Sequence, residues 1–223
     1  MEFNTFSIAA RCGRTGAFGV AVATARPAVG AVVPWVSADG AVATQAKTNT
    51  ELGRRALAML GEGTPLATAL PRLLDADPER EQRQVHGVDR AGAFARTGTT
   101  CRPWCGDRTG DGVSVAGNLL VGPGVLDAML GTFAASTALE LPERLVRALE
   151  AGQAAGGDKR GKQSAALLVW ADAPRPYHDL RVDDHEHPVA ELRRLHDLAL
   201  AHTATLLQDY GEEGLRRYRR AKA

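Results

Sequence analysis

The chain has 223 residues, 44 % of them hydrophobic and 24 % charged, and its 27 basic and 26 acidic side chains leave a formal net charge of +1. A chain of this length buries roughly 70 % of its unfolded surface on folding, so it needs no disulfide staples, and an odd set of cysteines (Cys12, Cys101, Cys105) offers no disulfide framework. The balanced charge leaves no electrostatic footprint for nucleic acid or for a polybasic membrane anchor, and no run nears the roughly 18 apolar residues of a membrane span.

The N-terminus has neither the basic nor the apolar region of a secretory signal. Together with the cysteine usage this sets the expectation of a cytoplasmic protein. Thr5 to Arg11 alternates apolar and polar residues, Cys12-Gly13-Arg14-Thr15-Gly16 turns, and Ala17 to Thr24 alternates again, which predicts a hairpin. Ala28 to Trp35 and Gly40 to Lys47 read as two more strands, with Pro34 confining the first to an edge. The period then changes. Thr50 is placed to cap a helix through Leu60, and Thr64-Pro65 opens another through Leu74 with Pro at the first helical position.

Gln84 to Val88 and Ala93 to Thr97 form a second hairpin around Asp89-Arg90-Ala91-Gly92. Val113 to Leu120 is a strand ended by Gly122-Pro123-Gly124, and apolar spacing predicts helices over Val125 to Ala135 and Pro142 to Ala155. Ser164 to Ala171 is a nearly continuous apolar run, as expected of a strand buried on both faces. A short strand, His178 to Asp183, leads to an amphipathic helix from Pro188 to about Tyr210. Strands and helices come in groups, which favours α+β over a parallel α/β sheet. Two stacked antiparallel sheets covered by helix pairs would use every element. The expected organisation is a leader (1–4), one domain (5–210) and a basic tail (211–223).

Thr5 carries the sharpest chemical possibility. Were the four residues before it removed, its hydroxyl would stand beside its own α-amine, which titrates near roughly 7.7–8.0 and can take the hydroxyl proton without a histidine. The plainer reading is a β-former at a strand start.

Here the sequence resembles a known family. Thr5-Phe6-Ser7-Ile8, Gly19-Val20-Ala21-Val22-Ala23, Val29 to Trp35, Ala43-Thr44-Gln45-Ala46, Gly117-Asn118-Leu119-Leu120 with Gly122-Pro123-Gly124-Val125, and the run from Ala151 to Gly161 look like an uncharacterised bacterial family, the domain of unknown function 1028, of the N-terminal-nucleophile hydrolase superfamily. The likeness runs from Thr5 to about Leu195. It implies a four-layer αββα sandwich like that of proteasome subunits, hydrolysis of an amide bond, and Thr5 as the nucleophile. Many relatives resemble Met-Thr-Phe-Ser, whereas here the Asn4-Thr5 bond would have to be cut.

Asn118, after Gly117 at a strand end, could donate to a developing oxyanion or cap the turn. Asp158-Lys159-Arg160 lies in a glycine-bounded turn before a buried strand, where Lys159 or Arg160 would supply positive charge near Thr5 and Arg160 could clamp a substrate carboxylate. Gln45, Asn49 and Asp158 complete the expected substrate-binding set. Asp183-Asp184-His185-Glu186-His187 suggests a metal cluster, but adjacent ligands at a helix start more often act as caps. His86, His178, His196 and His202 stand isolated in sequence. The expectation is therefore a threonine amidohydrolase acting on a small polar substrate, assembled as a homo-oligomer, with no cofactor and no metal. The alternative is a catalytically silent relative that binds a small ligand or a protein partner through the same cleft.

Overall fold

A computed structural model of the chain describes residues 2–171 and 178–221. The first residue of the expected leader and the end of the expected tail, 222–223, lie outside them. Among the described residues, eleven strands form two antiparallel sheets, and five α-helices accompany them. The first sheet contains β1 (Glu2–Phe3), β4 (Pro34–Val36), β5 (Gly40–Lys47), β6 (Arg83–Asp89) and β7 (Ala93–Thr97). Its order is β1-β5-β6-β7, and β4 shares the β1 edge of β5. The second sheet runs β11-β10-β3-β2-β9-β8, built from β2 (Thr5–Arg11), β3 (Phe18–Thr24), β8 (Gly106–Gly110), β9 (Val113–Gly117), β10 (Ser164–Trp170) and β11 (His178–Val182).

The alternation seen in the sequence sorts the side chains into layers. Ala9, Val20, Val22 and Ala166 of the second sheet pack on Ala41, Ala43 and Val88 of the first, so the sheets meet face to face. On the outer side of the first sheet, Val42 and Val85 pack against Leu52, Ala56, Leu70 and Leu74 of α1 (Thr50–Gly61) and α2 (Leu66–Asp75). On the outer side of the second, Phe6, Ile8, Val115 and Leu167 pack against Met129, Leu145, Leu149 and Leu192 of α3 (Gly124–Ala135), α4 (Leu141–Ala154) and α5 (Pro188–Ala221). Burial of β10 on both faces follows, as its apolar run predicts.

Three expectations are corrected. Ala28 to Trp35 is not one strand: Ala28 takes a left-handed φ of 57°, a 3-10 turn follows over Val29–Ala31, and only Pro34–Val36 pairs with β5. The cap of α1 is Asn49, whose side chain accepts from the Glu51 N–H at 3.1 Å, one residue before the Thr50 expected in that role. Pro65 caps α2 in place of occupying its first turn. The expected helix end near Tyr210 coincides with a break at Gly211 (φ 63°, ψ 178°) inside α5.

Within the first sheet, β6 passes close to β5 at Gly87, where a Cβ would stand 2.3 Å from the Ala41 carbonyl oxygen. Backbone on a paired strand cannot retreat. Gly87→Ala is expected to destabilise the fold by about 1–3 kcal/mol, read as a lower urea midpoint with an unchanged slope. An unshifted midpoint would show that the strands have room to part.

Candidate functional site

Thr5 opens β2 and is fully buried. Ser7, two residues on, reaches the first sheet, so the strand period puts Thr5 on the same inner face. The register sets a row of polar residues across the second sheet: Ser164 lies opposite Thr24 and Thr24 opposite Thr5. Asn118 stands immediately after β9, its N–H donating to the Thr5 carbonyl at 3.0 Å. Side chains of directly opposed residues start from Cβ atoms about 4.5–5.5 Å apart, so Thr5 is flanked by Thr24 and Asn118.

Three loops close this end of the sheet. Leu119 N–H donates to Arg102 O at 3.1 Å, Leu120 N–H to Trp104 O at 3.0 Å, and Lys159 N–H to Leu119 O at 2.9 Å. Two residues here hold a left-handed backbone without being glycine, Ala46 (φ 65°) and Leu119 (φ 53°). Strain of this kind persists only where the surroundings impose it, and it concentrates at functional sites.

The carbonyl of the Asn4-Thr5 peptide bond is held from two sides. Thr24 Oγ1 donates to Asn4 O at 2.7 Å and Arg160 Nη2 donates to it at 2.8 Å. Arg160 is fixed by Asp158, whose side chain is fully buried: Nε reaches Oδ1 at 3.0 Å and Nη2 reaches Oδ2 at 2.5 Å. The Thr5 hydroxyl, buried beside this carbonyl, has no hydrogen-bond partner among the described residues, and neither has Asn118 Oδ1. Buried polar atoms are nearly always paired, so two bare ones in one place mark a site awaiting a partner.

Behind Thr5 runs a buried chain of hydrogen bonds between the sheets. Gln84 Nε2 donates to Gly117 O at 2.9 Å and Gly106 O at 3.1 Å, while Gln84 Oε1 accepts from Gln45 Nε2 and Asn118 Nδ2, both at 2.8 Å. Gln45 Oε1 accepts from Ser7 Oγ at 2.7 Å. The Ser7 oxygen lies 2.7 Å from His86 Nε2, and His86 Nδ1 lies 2.8 Å from Ser114 Oγ. Since Ser7 spends its proton on Gln45, His86 Nε2 is the donor and Nδ1 accepts from Ser114. Burial drives the His86 pKa down to about 3, which keeps the ring neutral.

The sequence-predicted residues separate in this frame. Thr5, Asn118, Asp158 and Arg160 gather at one sheet end. Lys159 shares the loop, but its ammonium is donated to Pro103 O at 2.8 Å, and the cation that reaches the Asn4 carbonyl is that of Arg160. Gln45 is part of the buried chain. Asn49 caps α1 and binds Asp77 Oδ2 at 2.8 Å, a bond internal to the fold. Asp183, Asp184, His185 and His187 are engaged with Arg181, Gln163 and Lys162 and with one another. Among the described residues no group of three or more His, Cys, Asp or Glu is placed to hold a metal ion.

Sequence reasoning missed Thr24, Gln84 and the pairing of His86, which it read as isolated. Their signal was present as polar residues two apart in apolar strands, Thr5 with Ser7 and Gln84 with His86. Which strands face one another cannot be read from that spacing. No helix among the described residues is both long and apolar enough to cross a membrane.

The sequence profile of the family of unknown function DUF1028 matches residues 5–192, and the chain belongs to that family. Its fold is similar to the crystal structure of protein SPO2555 from Silicibacter pomeroyi, of the same family, at 34 % identity and a TM-score of 0.81 over 88 % of this chain and 89 % of that one. No curated protein matches.

Neutral, buried His86 makes stability depend on pH. The unfolded chain takes up a proton near pH 6.5, whereas the folded chain resists doing so until about pH 3. Stability is therefore lost as pH falls through this window, with a limiting slope of about 1.4 kcal/mol per pH unit. His86→Gln is expected to remove this component from denaturant midpoints measured between those values. Parallel pH profiles for the two proteins would show that His86 titrates normally.

Proposed function

We propose that this member of the DUF1028 family is an amide-bond hydrolase of the N-terminal-nucleophile class, with Thr5 as the nucleophile once the Asn4-Thr5 bond is cut. The observation that carries the reading is the pair of donors, Thr24 Oγ1 and Arg160 Nη2, on the carbonyl of that bond, beside a buried and unpartnered Thr5 hydroxyl. Donors fixed on a carbonyl before reaction are what an oxyanion requires, because they need no reorganisation as charge develops. Two facing antiparallel sheets with helices on both outer sides are consistent with the αββα sandwich of that class.

Release of residues 1–4 would proceed by attack of Thr5 Oγ on the Asn4 carbonyl carbon. The C–O bond forms, the C–N bond breaks, and the hydroxyl proton passes to the Thr5 nitrogen. Water then hydrolyses the ester, leaving an Asn4 carboxylate and a free Thr5 hydroxyl. In the product the Thr5 nitrogen is an amine with a basic lone pair, which it lacks as an amide. In turnover that amine takes the Oγ proton, Oγ attacks a substrate amide carbonyl, the ammonium protonates the departing amine, and water cleaves the resulting Thr5 ester to a carboxylate and the free hydroxyl. Thr24 and Arg160 hold the oxyanion, and Asn118 Oδ1 is an acceptor available to the α-ammonium. The buried chain through Gln84 holds Asn118 in position, and the cleft beside Asn4, about 150 Å³, suits a small polar group.

The same geometry supports a second reading, a silent relative that binds a ligand at this cleft, because Thr5 is fully buried while the bond is intact. Ser7, with His86 at 2.7 Å, is a poorer nucleophile candidate: it is fully buried and donates to Gln45.

Intact mass after incubation at neutral pH separates these readings. Wild type and Thr5→Ser are expected to lose residues 1–4 and Thr5→Ala to keep them, with Arg160→Ala slowing release by about 10²–10³-fold, the usual effect of removing one oxyanion donor. Release from Thr5→Ala at the wild-type rate would refute the nucleophile. A wild type that keeps the bond and cleaves no amide would favour the silent reading.

A further inference from the structure

We infer that residues 2–4 occupy the place of the substrate, so that the cut protein takes a short peptide laid as an added strand along the edge of β5, with a carboxylate two residues before the scissile carbonyl. The inference rests on the Thr5 reading and gives it a substrate class. Three contacts of the segment carry it.

The first is backbone pairing. β1 lies antiparallel on β5, with Glu2 opposite Lys47 and Phe3 opposite Ala46. On that same edge β4 covers only Ala41 to Ala43, and β6 takes the other edge. Removal of residues 1–4 would bare the backbone at Ala46 and Lys47. An unpaired edge of this kind binds extended peptides through main-chain hydrogen bonds.

The second contact is the carbonyl of Asn4 in the cradle of Thr24 and Arg160. It places the acyl carbon of whatever lies on the β5 edge beside Thr5. The third is ionic: the Glu2 carboxylate meets Arg102 Nη2 at 3.1 Å. Lys47 pairs with Glu79 whether or not the segment is present, but Arg102 would lose Glu2 with it. The vacated groove therefore gains a bare cation two residues upstream of the reacting carbonyl, at a cleft lined by Lys47, Gln82, Thr100 and Arg102.

A peptide that replaces all three contacts has an extended backbone, a carbonyl at the position of Asn4 and an acid at the position of Glu2. Backbone pairing supplies most of the affinity. The half-exposed ion pair supplies a modest preference, roughly two- to fivefold.

The test measures binding and needs no turnover. The probe is acetyl-Glu-Phe-Asn, with acetyl-Gln-Phe-Asn as its neutral counterpart, titrated calorimetrically into chain 5–223 after self-release or after excision from a fusion. Acetyl-Glu-Phe-Asn is expected to bind two- to fivefold tighter than the neutral peptide, and Arg102→Ala to abolish the difference. Binding to the uncut Thr5→Ala chain is expected to be at least about tenfold weaker, because the tethered segment competes at an effective concentration in the millimolar range. No binding to chain 5–223, equal binding to the uncut chain, or a preference unaffected by Arg102→Ala would each overturn the inference.

Chain 5–223 carrying Thr5→Ala keeps the groove and lacks the nucleophile, so it separates the two ideas. If it binds the peptide while the wild type never cleaves an amide, the groove stands and the nucleophile falls. If the wild type cuts itself and binds no peptide, the reverse holds. Should chain 5–223 not fold, amide exchange at Ala46 and Lys47 in the uncut chain probes the same groove: Glu2→Ala and Arg102→Ala are expected to speed it equally, and the double variant no further. Exchange indifferent to both would overturn the inference.

Discussion

Gln84 donates its side-chain N–H groups to the backbone carbonyls of Gly106 and Gly117 across the gap between the sheets. A backbone carbonyl can only accept, so the Gln84 amide has one possible orientation, and its oxygen must face Gln45 and Asn118. From there the polarity of each neighbour is forced. Gln45 presents its nitrogen to Gln84 and its oxygen to Ser7, Ser7 gives up its proton, and His86 is left donating from Nε2 and accepting at Nδ1. The chain ends at Asn118, which spends an N–H on Gln84 and keeps a bare carbonyl oxygen on the side of Thr5.

This constraint ties packing to chemistry. Polar residues between two sheets cost stability unless every partner is supplied, and here one glutamine supplies contacts to four strands of the two sheets. Thr5 Oγ1 and Asn118 Oδ1 are left unsatisfied at the end where Arg160 and Thr24 converge on the Asn4 carbonyl. The left-handed backbone at Ala46 and Leu119 belongs to the same end. The loops of residues 102–104, 118–121 and 157–160 meet at this end, and the interior is paired along the chain from Ser114 to Gln84.

Much of the fold was legible because its hairpins and helices obey clear periods. The alternation of Thr5–Arg11 and Ala17–Thr24 located strands of the second sheet, and Gly40–Lys47 and Gln84–Val88 strands of the first. What was not legible has physical causes. β8 is the sequence GDRTG, polar and partly exposed, and it acquires strand structure only by pairing with β9. Ala28 to Trp35 looks extended in composition, yet Ala28 turns left-handed and the Val29 N–H is taken by Ser164 Oγ at 3.1 Å. For the site, Thr5 and Arg160 could be named because each sits at a strand end or a glycine-bounded turn. Thr24, Gln84 and His86 could not, since their roles depend on which strand lies across the gap. Asn49 and Lys159 show the converse: the right chemistry in a promising loop, committed by local geometry to a helix cap and to a backbone carbonyl.

In the proposed chemistry the Thr5 oxygen is the group that attacks a carbonyl. Covalent labelling reads this directly: chain 5–223, incubated with an electrophilic β-lactone, is digested and the acylated residue located by fragment mass. One ester is expected, on Thr5, formed faster as pH rises through the α-amine range near 7.7–8.0. An adduct on Ser7, Thr44 or Ser164 with Thr5 untouched, or no adduct on a correctly folded chain, would contradict it.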